Sequence, residues 1–161
     1  MTAGMITAAI GLGALAVSLL GCAGTAVTPP SAVPYALQVA ATQKLVLKAQ
    51  ATGAQVYECR AASDEVHRFQ WTLKAPDADL YDDGGGRIGR HYAGPTWEAT
   101  DGSTVVGEVK AKDNGPDPGA IPWLLLDAKA TSGHGVFWGI QSVQRLNTVG
   151  GKAPAEGCDP S

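Results

Sequence analysis

Alternating apolar and polar positions recur along the chain after residue 44, and a period of two is typical of β-strands. In HRFQWTLKAP the large apolar side chains fall on one face, and Pro76 is predicted to end the strand. In KLVLKAQATGAQVYECRA an apolar run is followed by a turn predicted at Thr52-Gly53 and then by an alternating strand. No sustained helical period follows residue 44, although Leu37–Gln43 could form one or two helical turns.

Turn signals divide the rest of the chain into hairpins. The glycines after Asp82-Asp83 predict one hairpin, and Asp101-Gly102 predicts a second. Two long strands are predicted around SGHG, the second of them alternating from residue 136 to residue 141. Many short strands with Gly- and Pro-rich turns indicate an all-β fold, a single-domain antiparallel β-sandwich or flattened barrel.

One glycine pattern needs a separate interpretation. Gly84, Gly86 and Gly89 match the G-x-G-x-x-G spacing of dinucleotide-binding turns. That motif works where a strand enters it and a long helix leaves it, so that the helix N-terminus binds the pyrophosphate. Here Gly94-Pro95 follows shortly after and argues against a long helix. The glycines are predicted to form a hairpin turn, and neither NAD nor any other cofactor is expected.

The N-terminus resembles a targeting segment. Residues 1–21 form an uncharged apolar stretch and are predicted to be a lipoprotein-type signal peptide, because LLGC at its end resembles a bacterial lipobox. Cys22 would then carry the acyl chains, anchoring the protein to a membrane. The alternative is an ordinary secretory peptide cut near Ala23 or Ala26. Residues 22–35 are predicted to be a flexible tether and residues 36–161 the β-rich domain.

The cysteines fit an exported protein. Once Cys22 is assigned to lipidation, Cys59 and Cys158 remain. In an oxidising compartment such a pair is usually a disulfide, and this is the interpretation we favour. A metal or redox pair is the alternative, but neither cysteine has Cys-x-x-Cys spacing or a nearby histidine.

Net charge and residue spacing argue against several classes of binding site and active site. The net charge of −3 argues against nucleic-acid binding, which needs an excess of Lys and Arg. The three histidines lack zinc-ligand spacing, and the acidic residues between 77 and 83 are better explained as a solvated turn than as a calcium loop. No Gly-x-Ser-x-Gly elbow is present. No catalytic residue and no metal ligand is assigned.

The segment RHYAGPTWE is the strongest candidate for a ligand site. Predicted to lie on a loop, it combines two aromatic rings with ionisable groups that could orient a small molecule: Arg90, His91, Tyr92, Trp97 and Glu98. In the competing interpretation Trp97 belongs to the core and Arg90 with Glu98 forms a local ion pair.

Several segments together carry a family resemblance. VYECR, GRHYAGPTWEATDGSTVVGEV, GAIPWLLLDAKATSGHGVF, SVQRLNTVGGKAP and GCD resemble a family of exported bacterial and fungal proteins known only as a domain of unknown function, over residues 34–158. Some fungal members are labelled malate dehydrogenase, a label that the absence of a nucleotide-binding pattern argues against. The resemblance implies export and supplies no catalytic residues.

Two functions follow as hypotheses. The first is an exported, lipid-anchored protein of the cell envelope, periplasm-facing or in the outer membrane, that binds a small ligand, a glycan or an envelope protein without catalysis. A purely structural envelope protein is a variant of it. The second is a hydrolytic or redox enzyme whose site is assembled from loops around His91 and Glu98.

Overall fold

The computed structural model describes residues 33–63 and 68–160, and these form one antiparallel sheet. Its seven strands lie side by side in the order of the sequence, and each is hydrogen-bonded to the next. Hairpin turns or longer loops connect them. A 3-10 turn, Tyr35–Leu37, precedes the first strand within the described part of the chain. The strands are β1 Gln50–Ala61, β2 Phe69–Tyr81, β3 Arg87–Tyr92, β4 Thr96–Ala99, β5 Thr104–Asp113, β6 Trp123–Ser132 and β7 Ser142–Arg145.

The predicted all-β antiparallel fold is confirmed. All strands belong to one continuous sheet with β1 and β7 at its edges. The chain that follows β7 is joined to β1 by a disulfide. None of the described residues forms a helix long and apolar enough to cross a membrane. The proposed signal peptide, Cys22 and most of the tether lie outside the described residues.

The core lies on one face of the sheet, which we call the inner face. Leu80, Ala99, Val105 and Phe137 are buried together there, and side chains from β3, β4, β6 and β7 pack around them. Leu37 is fully buried where the 3-10 turn packs on β5 and β6, and Gln144 donates a hydrogen bond to its carbonyl at 2.6 Å. The short N-terminal turn therefore covers part of the sheet.

The two predicted hairpins are present. Between β2 and β3, one Asp82 carboxylate oxygen accepts hydrogen bonds from the amides of Gly84 and Gly86 at 2.9 and 2.8 Å. Gly85 has φ of 81°, a backbone conformation that favours glycine. Between β4 and β5, Gly102 has φ of 82°. The glycine-rich segment is thus a hairpin turn, as its acidic entry predicted.

Two predicted strand breaks are wrong. β1 runs without interruption through Thr52-Gly53, and Gly53 pairs with Ala78, whose backbone a Cβ at position 53 would overlap. β2 likewise continues through Pro76, which pairs with Gln55. Pairing of β2 with β3 begins only at Ala78, so Pro76 lies where one edge of β2 has no partner strand, a position in which a sheet tolerates proline.

The strand predicted over residues 136–141 is also wrong. Residues 133–141 form a turn-rich loop between β6 and β7, in which Phe137 is buried while Trp138 is 62% exposed. Asp101 holds this loop in place, because its carboxylate accepts hydrogen bonds from the Ser103 hydroxyl at 2.6 Å and from the Val136 amide at 2.8 Å. Ser103 is itself fully buried. The turn residue Asp101 is therefore also a tertiary anchor.

The C-terminal segment returns to the first strand. Cys158 forms the predicted disulfide with Cys59 of β1, with the Cα atoms 5.7 Å apart. Nearby, the Tyr57 hydroxyl donates to the carbonyl of Gly151 at 2.8 Å, and Gly151 also forms a β-bridge with Ala120. This segment therefore links β1 to the loop between β5 and β6.

Candidate functional site

The candidate residues lie on a β-hairpin, not on an irregular loop as the sequence suggested. Arg90, His91 and Tyr92 end β3, Trp97 and Glu98 lie in β4, and residues 93–95 connect the strands. β3 and β4 approach each other closely at Gly89, where a Cβ would overlap the carbonyl of Glu98. The hairpin therefore holds all five candidates in fixed register.

That register divides them between the two faces of the sheet. His91 pairs with Trp97, and Arg90 pairs with Glu98. Because successive side chains of a strand point to opposite faces, the two pairs lie on opposite sides of the hairpin. Arg90, Tyr92 and Glu98 form a group on the solvent side, which we call the outer cluster. His91 and Trp97 lie on the inner face.

The outer cluster is built around one carboxylate oxygen. Oε2 of Glu98 accepts hydrogen bonds from Nη2 of Arg90 and from the Tyr92 hydroxyl, both at 2.9 Å. The Arg90 guanidinium also lies over the Tyr92 ring, 4.8 Å from its centroid, in a cation–π contact. The ion pair proposed from the sequence is thus present, with Tyr92 added to it.

These contacts set the protonation states of the outer cluster. Hydrogen bonds from Arg90 and then Tyr92 lower the pKa of Glu98, and the same Glu98 raises the pKa of Arg90 and of Tyr92. At neutral pH the cluster therefore consists of a carboxylate, a guanidinium cation and a neutral phenol. A carboxyl group with a lowered pKa is a poor general acid. It is better suited to accepting hydrogen bonds.

A shallow depression of about 390 Å³ lies beside the outer cluster. Its charged walls are Arg90 and Glu98 together with Arg87, whose Nε donates to Asp79 at 2.6 Å. Its residues come from β3, from β4 and from the turn that follows β4: Arg87, Gly89, Arg90, Glu98, Ala99, Thr100 and Gly102. The depression is open, so it suits a ligand that lies along the surface.

On the inner face the two aromatic rings form a stack. The ring centroids of His91 and Trp97 lie 4.3 Å apart with 9° between the ring planes, and His91 is only 7% exposed. Nδ1 of His91 hydrogen-bonds to the carbonyl of Thr96 at 2.9 Å, so Nδ1 carries the proton in the neutral ring. Burial, only partly opposed by this hydrogen bond, lowers the pKa of His91.

The hypothetical enzyme site needs His91 and Glu98 to act together, and the hairpin separates them. The imidazole lies on the inner face and the carboxylate on the solvent side. They therefore do not form a common site. Among the described residues, no group of three or more His, Cys, Asp or Glu side chains is arranged to hold a metal ion.

One charged residue of the inner face was not selected from the sequence, Arg145 at the end of β7. Its position is opposite Leu124 of β6, two residues from the pair formed by Leu126 and Val143, so these side chains share one face. Leu126 in turn lies beside Trp97, because a Cβ at Gly107 would touch both of them. The sequence signal for this position is that Arg145 lies two residues after Val143, because residues two apart in a strand share a face.

A family model described as "Protein of unknown function (DUF3455)" matches residues 40–161, and the chain belongs to this family. The match confirms the resemblance to a domain of unknown function. No curated protein and no solved structure matches the chain.

Proposed function

We propose that this protein is exported, anchored to a membrane of the cell envelope through Cys22, and acts there as a non-catalytic binding module. The disulfide supports the export step. Disulfides persist in oxidising compartments and are rare in the cytosol, and Cys59 and Cys158 are joined across a separation of 99 residues. An apolar leader ending in LLGC precedes this domain in the sequence.

The outer cluster carries the proposal for binding. Its polar groups are already held in place by one another, which lowers the entropic cost of ordering them around a ligand. Among the described residues, Oε1 of Glu98 has no hydrogen-bond donor, and the N–H groups of Arg90 outside its bond to Glu98 have no acceptor, so both can serve a ligand. An acceptor beside a donor matches two neighbouring hydroxyl groups of a sugar.

The shape of the depression favours the same class of ligand. Pockets for compact small molecules enclose most of the ligand surface, whereas this depression is shallow and open along the hairpin. An extended glycan can lie in such a site and leave much of its surface in solvent. We therefore propose a glycan of the envelope as the ligand of the outer cluster.

Calorimetric titration with soluble peptidoglycan strands tests the binding proposal. Glu98→Gln removes the charge of the acceptor with little change in shape, and we expect it to weaken binding about tenfold. Arg60→Gln is the matched control, because Arg60 pairs with Glu58 on β1, away from the hairpin. Binding that is absent in the wild type, or unaffected by Glu98→Gln, would contradict the proposal.

Fractionation tests the anchor. Cys22→Ala should move the protein from the membrane fraction to the soluble fraction, whereas Thr25→Ala in the tether should leave it membrane-bound. A Cys22→Ala variant that partitions into detergent as the wild type does would contradict lipidation at this residue.

A further inference from the structure

The inner face holds a cation, Arg145, that forms no ion pair with any carboxylate of the described residues. Its contacts are two hydrogen bonds to the carbonyl of Pro122, from Nε at 3.2 Å and from Nη2 at 2.7 Å. A half-buried charge without a counterion is costly, since partial desolvation is not repaid by an ion pair.

The electrostatics of the inner face agree with this description. Burial lowers the pKa of Arg145, opposed only by its interaction with Tyr57. The charge of Arg145 in turn contributes to lowering the pKa of His91. The charge of Arg145 therefore acts at His91, and no acidic residue among those described contributes to the pKa shift of either group.

Two nitrogen atoms on this face have no hydrogen-bond partner among the described residues. The hydrogen bonds to Pro122 fix the orientation of the guanidinium and leave Nη1 without a partner there. The His91 ring makes its one hydrogen bond within these residues through Nδ1, so Nε2 is also unpaired. Among the described residues, no side-chain nitrogen or oxygen without a hydrogen-bond partner is fully inaccessible to solvent. Nη1 and Nε2 therefore keep some accessible surface, with the larger share on the half-buried Arg145, since His91 is 7% exposed.

We infer that the inner face carries a site for a small organic anion, with its carboxylate on the guanidinium of Arg145 and its apolar body along the stack of His91 and Trp97. Guanidinium groups bind carboxylates through charge-assisted and often bidentate hydrogen bonds. The stacked rings lie on the same face as Arg145, because Leu126, two residues along β6 from the residue opposite Arg145, lies beside Trp97. The anion supplies the counterion that Arg145 lacks, and this site is separate from the outer cluster.

Benzoate is a suitable probe because it joins a carboxylate to an apolar ring. We expect it to bind the wild-type protein with a dissociation constant of about 1 mM or below. Its negative charge would favour the imidazolium form, so benzoate should raise the pKa of His91 followed by NMR. Benzamide, a neutral analogue of similar shape, should bind much more weakly and leave this pKa unchanged.

Variants assign the effect to Arg145. Arg145→Gln should weaken benzoate binding at least about tenfold and raise the pKa of His91 in the absence of ligand. Arg145→Lys retains the charge without the bidentate geometry and should bind with intermediate affinity, which gives a second test where Arg145→Gln does not fold. Arg60→Gln, on an exposed ion pair, is the control and should bind as the wild type does.

Several results would overturn the inference. Benzoate that leaves the pKa of His91 unmoved, or binds Arg145→Gln as well as the wild type, would show that Arg145 holds no anion, and equal binding to Arg145→Lys would exclude the bidentate contact. Inorganic phosphate binding as tightly as benzoate would exclude a role for the aromatic stack. Glu98→Gln should not alter benzoate binding, so that failure of this site and failure of the outer cluster are distinguishable.

Discussion

Removal of the disulfide should strongly destabilise the domain. Cys59 and Cys158 are 99 residues apart, so the cross-link closes a loop of about 100 residues in the unfolded chain. In the chain-entropy model a loop of this length contributes about 4.7 kcal/mol at 25 °C. The C-terminal segment also has native contacts of its own at Gly151. We therefore expect the folded state to keep its structure and the loss to arise mainly in the unfolded state.

The perturbation is the double variant Cys59→Ser/Cys158→Ser, and the assay is urea unfolding followed by tryptophan fluorescence. The expected result is a free energy of unfolding lower by about 4 to 5 kcal/mol. Wild-type protein reduced with excess dithiol should show the same loss, which controls for the serine side chains. A loss below about 1 kcal/mol in both samples would refute the conclusion that this bond constrains the unfolded chain.

Three further predictions concern the inner face and the loop that packs on it. Trp97→Ala should lower the free energy of unfolding, measured in urea, by about 3 kcal/mol. This is the low end of the range for buried aromatic residues, because Trp97 is partly exposed. An unchanged stability would assign Trp97 to binding alone. Asp101→Asn should speed hydrogen exchange at the amide of Val136, which donates to the Asp101 carboxylate. Because hydrogen bonds from Ser103 lower the pKa of Asp101, acid should speed this exchange in the wild type only below pH 3.8. Equal exchange rates in variant and wild type would count against Asp101 as the residue that holds the loop. Since burial lowers the pKa of His91, the contribution of His91 to stability should be complete above pH 6.5 and decline as the pH falls below that value. The urea midpoint should therefore depend less on pH in His91→Asn than in the wild type. An identical pH dependence would contradict a neutral buried imidazole.

The local features of the fold were predictable where a single residue type sets the backbone. The turns at Asp82 and Asp101 follow from acidic residues beside glycines, because the carboxylate caps backbone amides and glycine adopts positive φ. The disulfide was predictable as well, since Cys59 and Cys158 are the two cysteines of the predicted β-rich domain.

Features that depend on neighbouring strands were not predictable in this way. Gly53 and Pro76 usually interrupt strands, but here one permits close approach of β2 and the other lies where an edge has no partner. The segment from residue 136 to residue 141 alternates as a strand does. It forms a loop because Asp101 and buried Ser103 hold its amides in place of a neighbouring strand.

The candidate site shows the same limit. The five polar and aromatic residues selected from the sequence lie together in one hairpin, whereas the sequence pattern had predicted an irregular loop. The strand register divides them between two faces, with the Arg90–Glu98 pair on one side and the His91–Trp97 pair on the other. Arg145 joins the inner group from more than 40 residues away along the sequence, and only the path of the sheet brings it there.

Intact-mass spectrometry of the native protein, purified from the envelope without reductant, tests the central proposal of an exported and anchored domain most directly. The expected species begins at Cys22, carries a diacylglyceryl group and an N-linked acyl chain, and gains the mass of two hydrogens when the bond between Cys59 and Cys158 is reduced. A chain that begins at Met1 with free thiols, or one that begins at Ala23 without lipid, would contradict the proposal.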